Sequence, residues 1–286
     1  VTEGLVWRPA PPGAGSPAPG ATPAEPAGGA APGAGAAPGG NAAGGGLAWP
    51  PVLVAEDLLA AGILAAFSGR AGGRSAAPYE SLSLGLHVGD DLRTVLGNRR
   101  RLATVLSVAG LPWATLRQVH SPIVVEARAE LLGQGPPEAR PPLAEADGMV
   151  STEPGLLLAV FTADCVPVLL ADPRARVVAA LHAGWRGLAA GVLERGVEAL
   201  VHAGASLDRT VAMVGPAIGP CCYEVGPEVA AAVGERYQRA PATTREGALA
   251  IDTAAAAVQA LEAAGVGSVR AAGECTAHQP ERFFSY

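Results

Sequence analysis

The sequence contains no lysine, and all of its 20 basic residues are arginine. That absence removes two mechanisms outright: a Schiff-base lysine and the lysine of a phosphate-binding P-loop. Any anion must be held by arginine or by backbone N–H groups. Cysteine is scarce, with Cys165, Cys221, Cys222 and Cys275 the full set. No basic segment followed by an apolar one marks the N-terminus as a secretory signal, so these cysteines suit thiol or metal chemistry better than a disulfide framework. The cytoplasm is the expected compartment. Five histidines and four cysteines fall short of the roughly ten ligands that blue and trinuclear copper centres require together. No run reaches the roughly 18–20 apolar residues of a membrane span, and the apolar stretch at 58–67 is too short. Excess positive charge is missing as well: a net charge of −6 argues against a nucleic-acid-binding face.

Hydrophobic residues make up 49% of the 286 and charged residues 16%, ample for a buried core. Residues 9–46 consist of Ala, Gly and Pro with a few Ser, Thr, Glu and Asn. Such a stretch has too few large side chains to offset its ordering entropy. The expected organisation is a disordered tail over residues 1–46 followed by one catalytic domain over residues 47–286. Strands are predicted at 63–70, 115–120, 123–126, 156–161, 165–171, 176–182, 210–214 and 269–272. Helices are predicted at 90–109, 187–203, 227–237 and 252–264, the first capped by Asp90 or Asp91. The expected fold is a single mixed α/β (α+β) domain.

The most informative segment runs from Cys165 to His182. Two apolar strands flank Asp172-Pro173-Arg174-Ala175, whose first residues favour a turn. A four-residue loop over 172–175 pairs Cys165 directly with His182, with Cβ atoms about 4.5–5.5 Å apart on one face. A thiolate and an imidazole at that spacing can share one zinc ion. Pro167 lacks a ladder donor, which implies an edge strand or a bulge. After His182, Gly184 and Gly187 let backbone approach a ligand, and the start of the following helix, with Arg186, favours an anion.

Several blocks, taken in order, resemble the laccase-domain (polyphenol oxidase-type) purine nucleoside phosphorylase family. They are Phe67-Ser68-Gly69-Arg70-Ala71-Gly72-Gly73-Arg74-Ser75, Ser81-Leu82-Ser83-Leu84-Gly85-Leu86-His87-Val88-Gly89-Asp90 with Asn98-Arg99, and Gln118-Val119-His120. They continue through Ala146-Asp147, Thr162-Ala163-Asp164-Cys165 and His182-Ala183-Gly184-Trp185-Arg186-Gly187 to Ile218-Gly219-Pro220-Cys221-Cys222-Tyr223-Glu224, Cys275-Thr276 and Phe283-Phe284-Ser285-Tyr286. The resemblance implies one metal ion, zinc or alternatively copper, bound by His120, Cys165 and His182, which are then also the catalytic residues. It implies phosphorolysis of adenosine, inosine, guanosine and methylthioadenosine, and deamination of adenosine. Copper-dependent polyphenol oxidation and a Cys-His hydrolase acting in peptidoglycan editing are the alternatives. The expected partners are a purine nucleoside and phosphate, with no nucleic acid and no membrane, and the chain is expected to be a monomer. Ser83 stands where the family usually has Asn, and relatives commonly continue past the position of Tyr286 with a basic stretch.

Arg70, Ser83 and Arg186 are the expected substrate contacts, the two arginines for phosphate. Asp147 and Asp164 suit either orientation of the ligands or a turn. Adjacent cysteines seldom chelate together, so Cys221 and Cys222 are expected to serve packing and loop shape. Nothing in the residues themselves marks His87 or His278 as a ligand, and His202 is expected at the surface of a helix end. The Arg99–Arg101 run is expected on the solvated side of its helix.

Overall fold

The computed structural model describes residues 5–8 and 50–286. In chain order the strands and helices are β1 Leu5–Arg8, β2 Val52–Ala55, α1 Glu56–Ala60, β3 Ala66–Ser68, α2 Leu92–Val105, β4 Trp113–Ala114, β5 Val124–Glu126 and β6 Gly148–Ser151. They continue with β7 Leu157–Leu158, β8 Val166–Asp172, β9 Val177–Ala183, α3 Trp185–Ala190, α4 Val192–His202, β10 Val211–Val214, α5 Pro227–Gly234, β11 Pro241–Thr243, β12 Leu249–Ile251, α6 Thr253–Ala263 and β13 Ser268–Ala271. This is the mixed α/β domain the alternation of patterns predicted. No helix among the described residues is long and apolar enough to cross a membrane. Of the stretch expected to be a tail, Leu5–Arg8 pairs antiparallel with β2, and the rest lies outside the described residues.

A six-stranded sheet in the order β13-β10-β8-β9-β6-β5 organises the fold. Strand side chains alternate between faces. Val166, Val168 and Leu170 of β8 and Val177, Ala179 and Leu181 of β9 therefore turn to one face, where they bury against Leu193, Val197 and Leu200 of α4 and Leu261 of α6. Each of these Val and Leu side chains, fully buried, contributes about 1.5–3 kcal/mol. The other face is covered in part by β2, α1 and β3, where Leu53, Leu58 and Phe67 meet Ala171 and Met213.

Strand direction sets where the functional loops emerge. β8 and β6 run antiparallel to β9, β5 runs parallel to β6, β10 antiparallel to β8 and β13 parallel to β10. The start of β5, β6 and β8 and the finish of β9, β10 and β13 consequently share one end of the sheet. His120, Asp147, Cys165, His182, Cys221 and Cys275 all sit just outside or at the last positions of those strand ends.

Four expectations change. The hairpin closes at Asp172↔Val177, and Pro167, not Cys165, lies opposite His182. The cause is local: Asp172 remains in the strand while its carboxylate accepts N–H bonds from Arg174 (2.9 Å) and Ala175 (3.0 Å), and Arg176 takes a left-handed φ of 57°. The loop thus begins one residue later than the turn residues alone suggest. Pro167 also sits in a central strand, neither at an edge nor at a bulge. Its carbonyl accepts from Gly215 N (2.8 Å), so its missing N–H faces β10 just past the last paired residue, Val214, and only the reciprocal bond at this end of the ladder is absent. The helix expected over 187–203 is broken into α3 and α4 by Gly191 at φ 87°. Finally, Arg99 is only 2% exposed. It donates to Leu84 O (2.8 Å) and Glu138 O (2.8 Å), lies over the rings of Phe161 and Trp113, and burial lowers its pKa to about 10. Helical periodicity marks a face, but it cannot show that a neighbouring loop supplies carbonyls for a guanidinium.

Candidate metal centre

The two-residue shift in pairing leaves Cys165 and His182 on the same face, because only an odd slip turns a strand over. They are diagonal neighbours, within reach of side chains. His120 completes the group from the loop ahead of β5, at a left-handed φ of 60°. One donor atom from each of His120, Cys165 and His182 lies within 4.8 Å of the others. Cys165 Sγ is 3.8 Å from His120 Nε2, and the two imidazoles meet edge to face at 4.9 Å between centroids.

Asp147 holds this arrangement together. Fully buried, its carboxylate accepts from Val119 N (3.1 Å), His120 N (2.9 Å), Ser121 N (2.6 Å) and Ser121 Oγ (2.9 Å). The same group lies 2.8 Å from His182 Nδ1. Burial pushes the carboxyl pKa up, but the bonds from His182, Ser121 and His120 outweigh it and hold the pKa well below the carboxylate range. An ionised carboxylate only accepts, so this contact is a bond donated by His182 Nδ1 and it fixes the orientation of the ring. The His120 pKa is lowered, first by burial and then by His182 and Arg186, with Asp147 opposing. The Cys165 thiol is pushed up to about 11 by burial and by the charges of Asp164 and Asp147, the reverse of an activated nucleophile.

Gly184 shows that the space between the donors is kept open. A Cβ there would come 2.5 Å from His120 Cδ2 and 3.0 Å from Cys165 Sγ. The neighbouring Gly187 has only ordinary contacts, so the predicted close approach applies to Gly184 alone. Gln118, noticed only as part of a block, clamps the two loops: its Nε2 donates to Phe161 O and its Oε1 accepts from Phe161 N, both at 2.8 Å. Asp164 has a left-handed φ of 87° and accepts from Thr276 Oγ1 (2.6 Å) and Tyr286 N (2.8 Å), tying the entry of β8 to the C-terminal segment. Burial raises the Tyr223 pKa, with the nearby Cys165 and Asp164 adding to it.

The expected substrate contacts separate into three cases. Arg186 is exposed, stacks 4.3 Å over Trp185 and has no carboxylate partner among the described residues. Arg70 has committed Nε to Glu80 O (2.6 Å) and one terminal nitrogen to Pro280 O (2.9 Å), and lies over Phe284. Ser83 is buried, and its carbonyl accepts from Asn98 Nδ2. The structure brings together the three expected ligands and Arg186, whose charge reaches His120. It ties Arg70 to the C-terminal segment and leaves Ser83 under α2.

Residues 64–286 match the family described as "Multi-copper polyphenol oxidoreductase laccase". The chain belongs to this laccase-domain family. It is similar to "Purine nucleoside phosphorylase" of Deinococcus radiodurans, with 42% identity over 236 residues covering 82% of this chain and 87% of that one. A protein of the same name from Pseudomonas aeruginosa is 41% identical over 79% of this chain and 88% of its own. Among solved structures, YlmD from Geobacillus stearothermophilus superposes with a TM-score of 0.72 at 34% identity, covering 78% of this chain and 85% of that one. YfiH from Bacillus licheniformis gives 0.75 at 30% identity, covering 82% and 90%. Among the described residues the His, Cys, Asp and Glu side chains of this chain form two groups that could hold a metal ion, of three and four donors, and neither provides the ligands of a trinuclear cluster with a blue centre.

Proposed function

We propose that the protein is a zinc-dependent purine nucleoside phosphorylase whose ion is held by His120, Cys165 and His182. The observation that carries this reading is the set of three donors from three strand ends, gathered within 4.8 Å around a glycine whose Cβ would fill the gap. Two imidazoles and one thiolate form a three-ligand set that leaves a coordination position open, as a catalytic zinc site requires. These three residues would hold the ion, and zinc bound there would supply a Lewis acid for polarising the substrate. The names of the relatives support the substrate class.

The chain's own residues then have separable tasks. Asp147 orients His182 and fixes the His120 loop through the same carboxylate. Arg186 offers planar donors to phosphate, and Arg70, its donors largely engaged, adds positive charge on the C-terminal side. Ser83 helps shape the wall under α2 through its backbone rather than reaching substrate. In phosphorolysis a phosphate oxygen bonds to C1′ of the ribose while the C1′–N9 bond breaks. The purine leaves with the electron pair and takes up a proton. In adenosine deamination water would add at C6, the bond from C6 to the exocyclic nitrogen would break and ammonia would leave. Substrates expected from the family are adenosine, inosine, guanosine and methylthioadenosine.

A mononuclear copper oxidase draws on the family's description, and a Cys-His hydrolase on the Cys165, His182, Asp147 order. Purified protein incubated with adenosine, with and without phosphate, separates these readings by chromatography. Ribose 1-phosphate and adenine formed only with phosphate support phosphorolysis, and inosine formed in either case adds deamination. No turnover of any purine nucleoside by zinc-replete protein would reject the proposal.

A further inference from the structure

A second group of donors stands at the same end of the sheet. Cys221 and Cys222 lie in the loop after β10, and Cys275 and His278 lie after β13. Their donor atoms all fall within 4.8 Å of one another. All four cysteines of the chain are free thiols in the structure. The objection that adjacent cysteines diverge is met by the local backbone. The loop curls so that Cys222 N and Tyr223 N both donate to Gly219 O (3.0 and 3.1 Å), and the sulfurs of Cys221 and Cys222 approach the two nitrogens of one ring, His278, at 3.5 and 3.1 Å. Gly219 N donates to Cys275 Sγ at 3.2 Å, a bond that favours a thiolate. Gly219 must also stay small: a Cβ there would lie 3.1 Å from Cys221 Sγ and 3.3 Å from Cys275 Sγ.

We propose that Cys221, Cys222, Cys275 and His278 form a second metal site, a closed Cys₃His zinc centre distinct from that of His120, Cys165 and His182. A tetrahedral ion about 2.3 Å from sulfur and about 2.0 Å from nitrogen spaces its donors roughly 3.5–3.8 Å apart. Donors within 4.8 Å reach that spacing by side-chain rotation alone, His278 turning to offer one nitrogen. Three thiolates and an imidazole fill the tetrahedron, leave no open position and match the structural class of zinc site. The thiol protons pass to solvent on binding.

Its role follows from what the two segments carry. Thr276, next to Cys275, donates to Asp164, the residue before Cys165. Ile218 N donates to Asp164 O (2.9 Å), and Thr276 N to Ala217 O (3.0 Å). The second centre is a clip that fastens the loops after β10 and β13, and through them it holds the start of β8 in place. Sequence spacing hid it, because a pair of neighbouring cysteines and a pair more than fifty residues away match no familiar ligand motif.

The test counts metal in the full-length protein. Wild-type protein purified with zinc should hold two ions per chain, and the His120→Ala/His182→Ala variant should keep one. Replacing that remaining ion with cobalt should give a thiolate charge-transfer band about threefold stronger per sulfur-bearing ion than a one-cysteine site gives. A second measurement needs no variant: mercurial titration of the four wild-type thiols should release both zinc ions. Release of a single zinc, a double variant that folds without zinc, or fewer than four titratable thiols in the denatured protein would overturn the second site, and the last result would assign these cysteines to a disulfide. None of these readouts depends on turnover, so failure here is distinguishable from failure of the phosphorylase reading.

Discussion

The two donor groups at the sheet end differ in chemistry and in support. His120, Cys165 and His182 combine two imidazoles with one thiol, and a buried carboxylate fixes the His120 loop and the His182 ring through five contacts. Cys221, Cys222, Cys275 and His278 bring three thiols and one imidazole, held by backbone turns without any such carboxylate. On the proposed reading, the first set would leave a coordination position open to substrate, whereas the second would saturate an ion and tie loops together. Two clusters built from the same residue types are thus assigned opposite tasks by ligand count and by what stands behind the ligands.

That contrast can be attacked at several points. The largest effect is expected from Gly184→Ala, whose methyl occupies the gap beside His120 and Cys165. It should abolish turnover, a loss of at least ~10³-fold if several kcal/mol of metal assistance disappear, and leave one zinc per chain by elemental analysis. Retention of full activity would show that the gap is not the reacting centre. Asp147→Asn should weaken metal binding at the first site by about 10–100-fold, measured by competition with a chelator, and leave the second unaffected. Arg186→Ala should raise the KM for phosphate by roughly tenfold, the size expected for a lost charge-assisted contact of ~1.5 kcal/mol, with both ions retained. An unchanged phosphate dependence would remove Arg186 from the site.

The smallest functional effect is expected at the far end of the hairpin. Asp172 is fully buried and accepts from Arg174 N, Ala175 N, Ser206 N and Arg209. Burial pushes its pKa up, but these bonds win and lower it from 3.8 to about 2. A depressed pKa means that its contribution is complete above the ordinary carboxylate value and is lost as the pH falls towards about 2. Asp172→Asn should cost about 1–3 kcal/mol at neutral pH in denaturant titrations and flatten the acid limb of the stability profile. Both metal ions and kcat should survive. If metal were lost as well, the hairpin register and the site would be coupled more tightly than their separation along β8 implies.

Much of the first site was legible because its signal is local. Apolar strands of equal length around a turn predict a hairpin, and any pairing that keeps Cys165 and His182 on one face brings them together. The register itself was misjudged by two residues because the Asp172 carboxylate, not the Asp-Pro sequence, decides where the turn starts. The position of Pro167 in a central strand was unreadable, since it depends on β10 ending one residue early. Arg99 looked solvated because its partners, Leu84 O, Glu138 O and Phe161, come from distant loops. The clustering of Cys221 and Cys222 with Cys275 and His278 depends on β10 and β13 running parallel as neighbours, a long-range pairing that no pattern in either segment announces.

The most direct test of the account is phosphate-dependent cleavage of adenosine by wild-type protein that has been stripped of metal and then given back zinc, beside Cys165→Ala handled identically. Stripping should stop ribose 1-phosphate production in the wild type, zinc should restore it, and Cys165→Ala should stay inactive throughout. Undiminished cleavage by the stripped enzyme, or by Cys165→Ala, would contradict the assignment of the reacting centre to His120, Cys165 and His182.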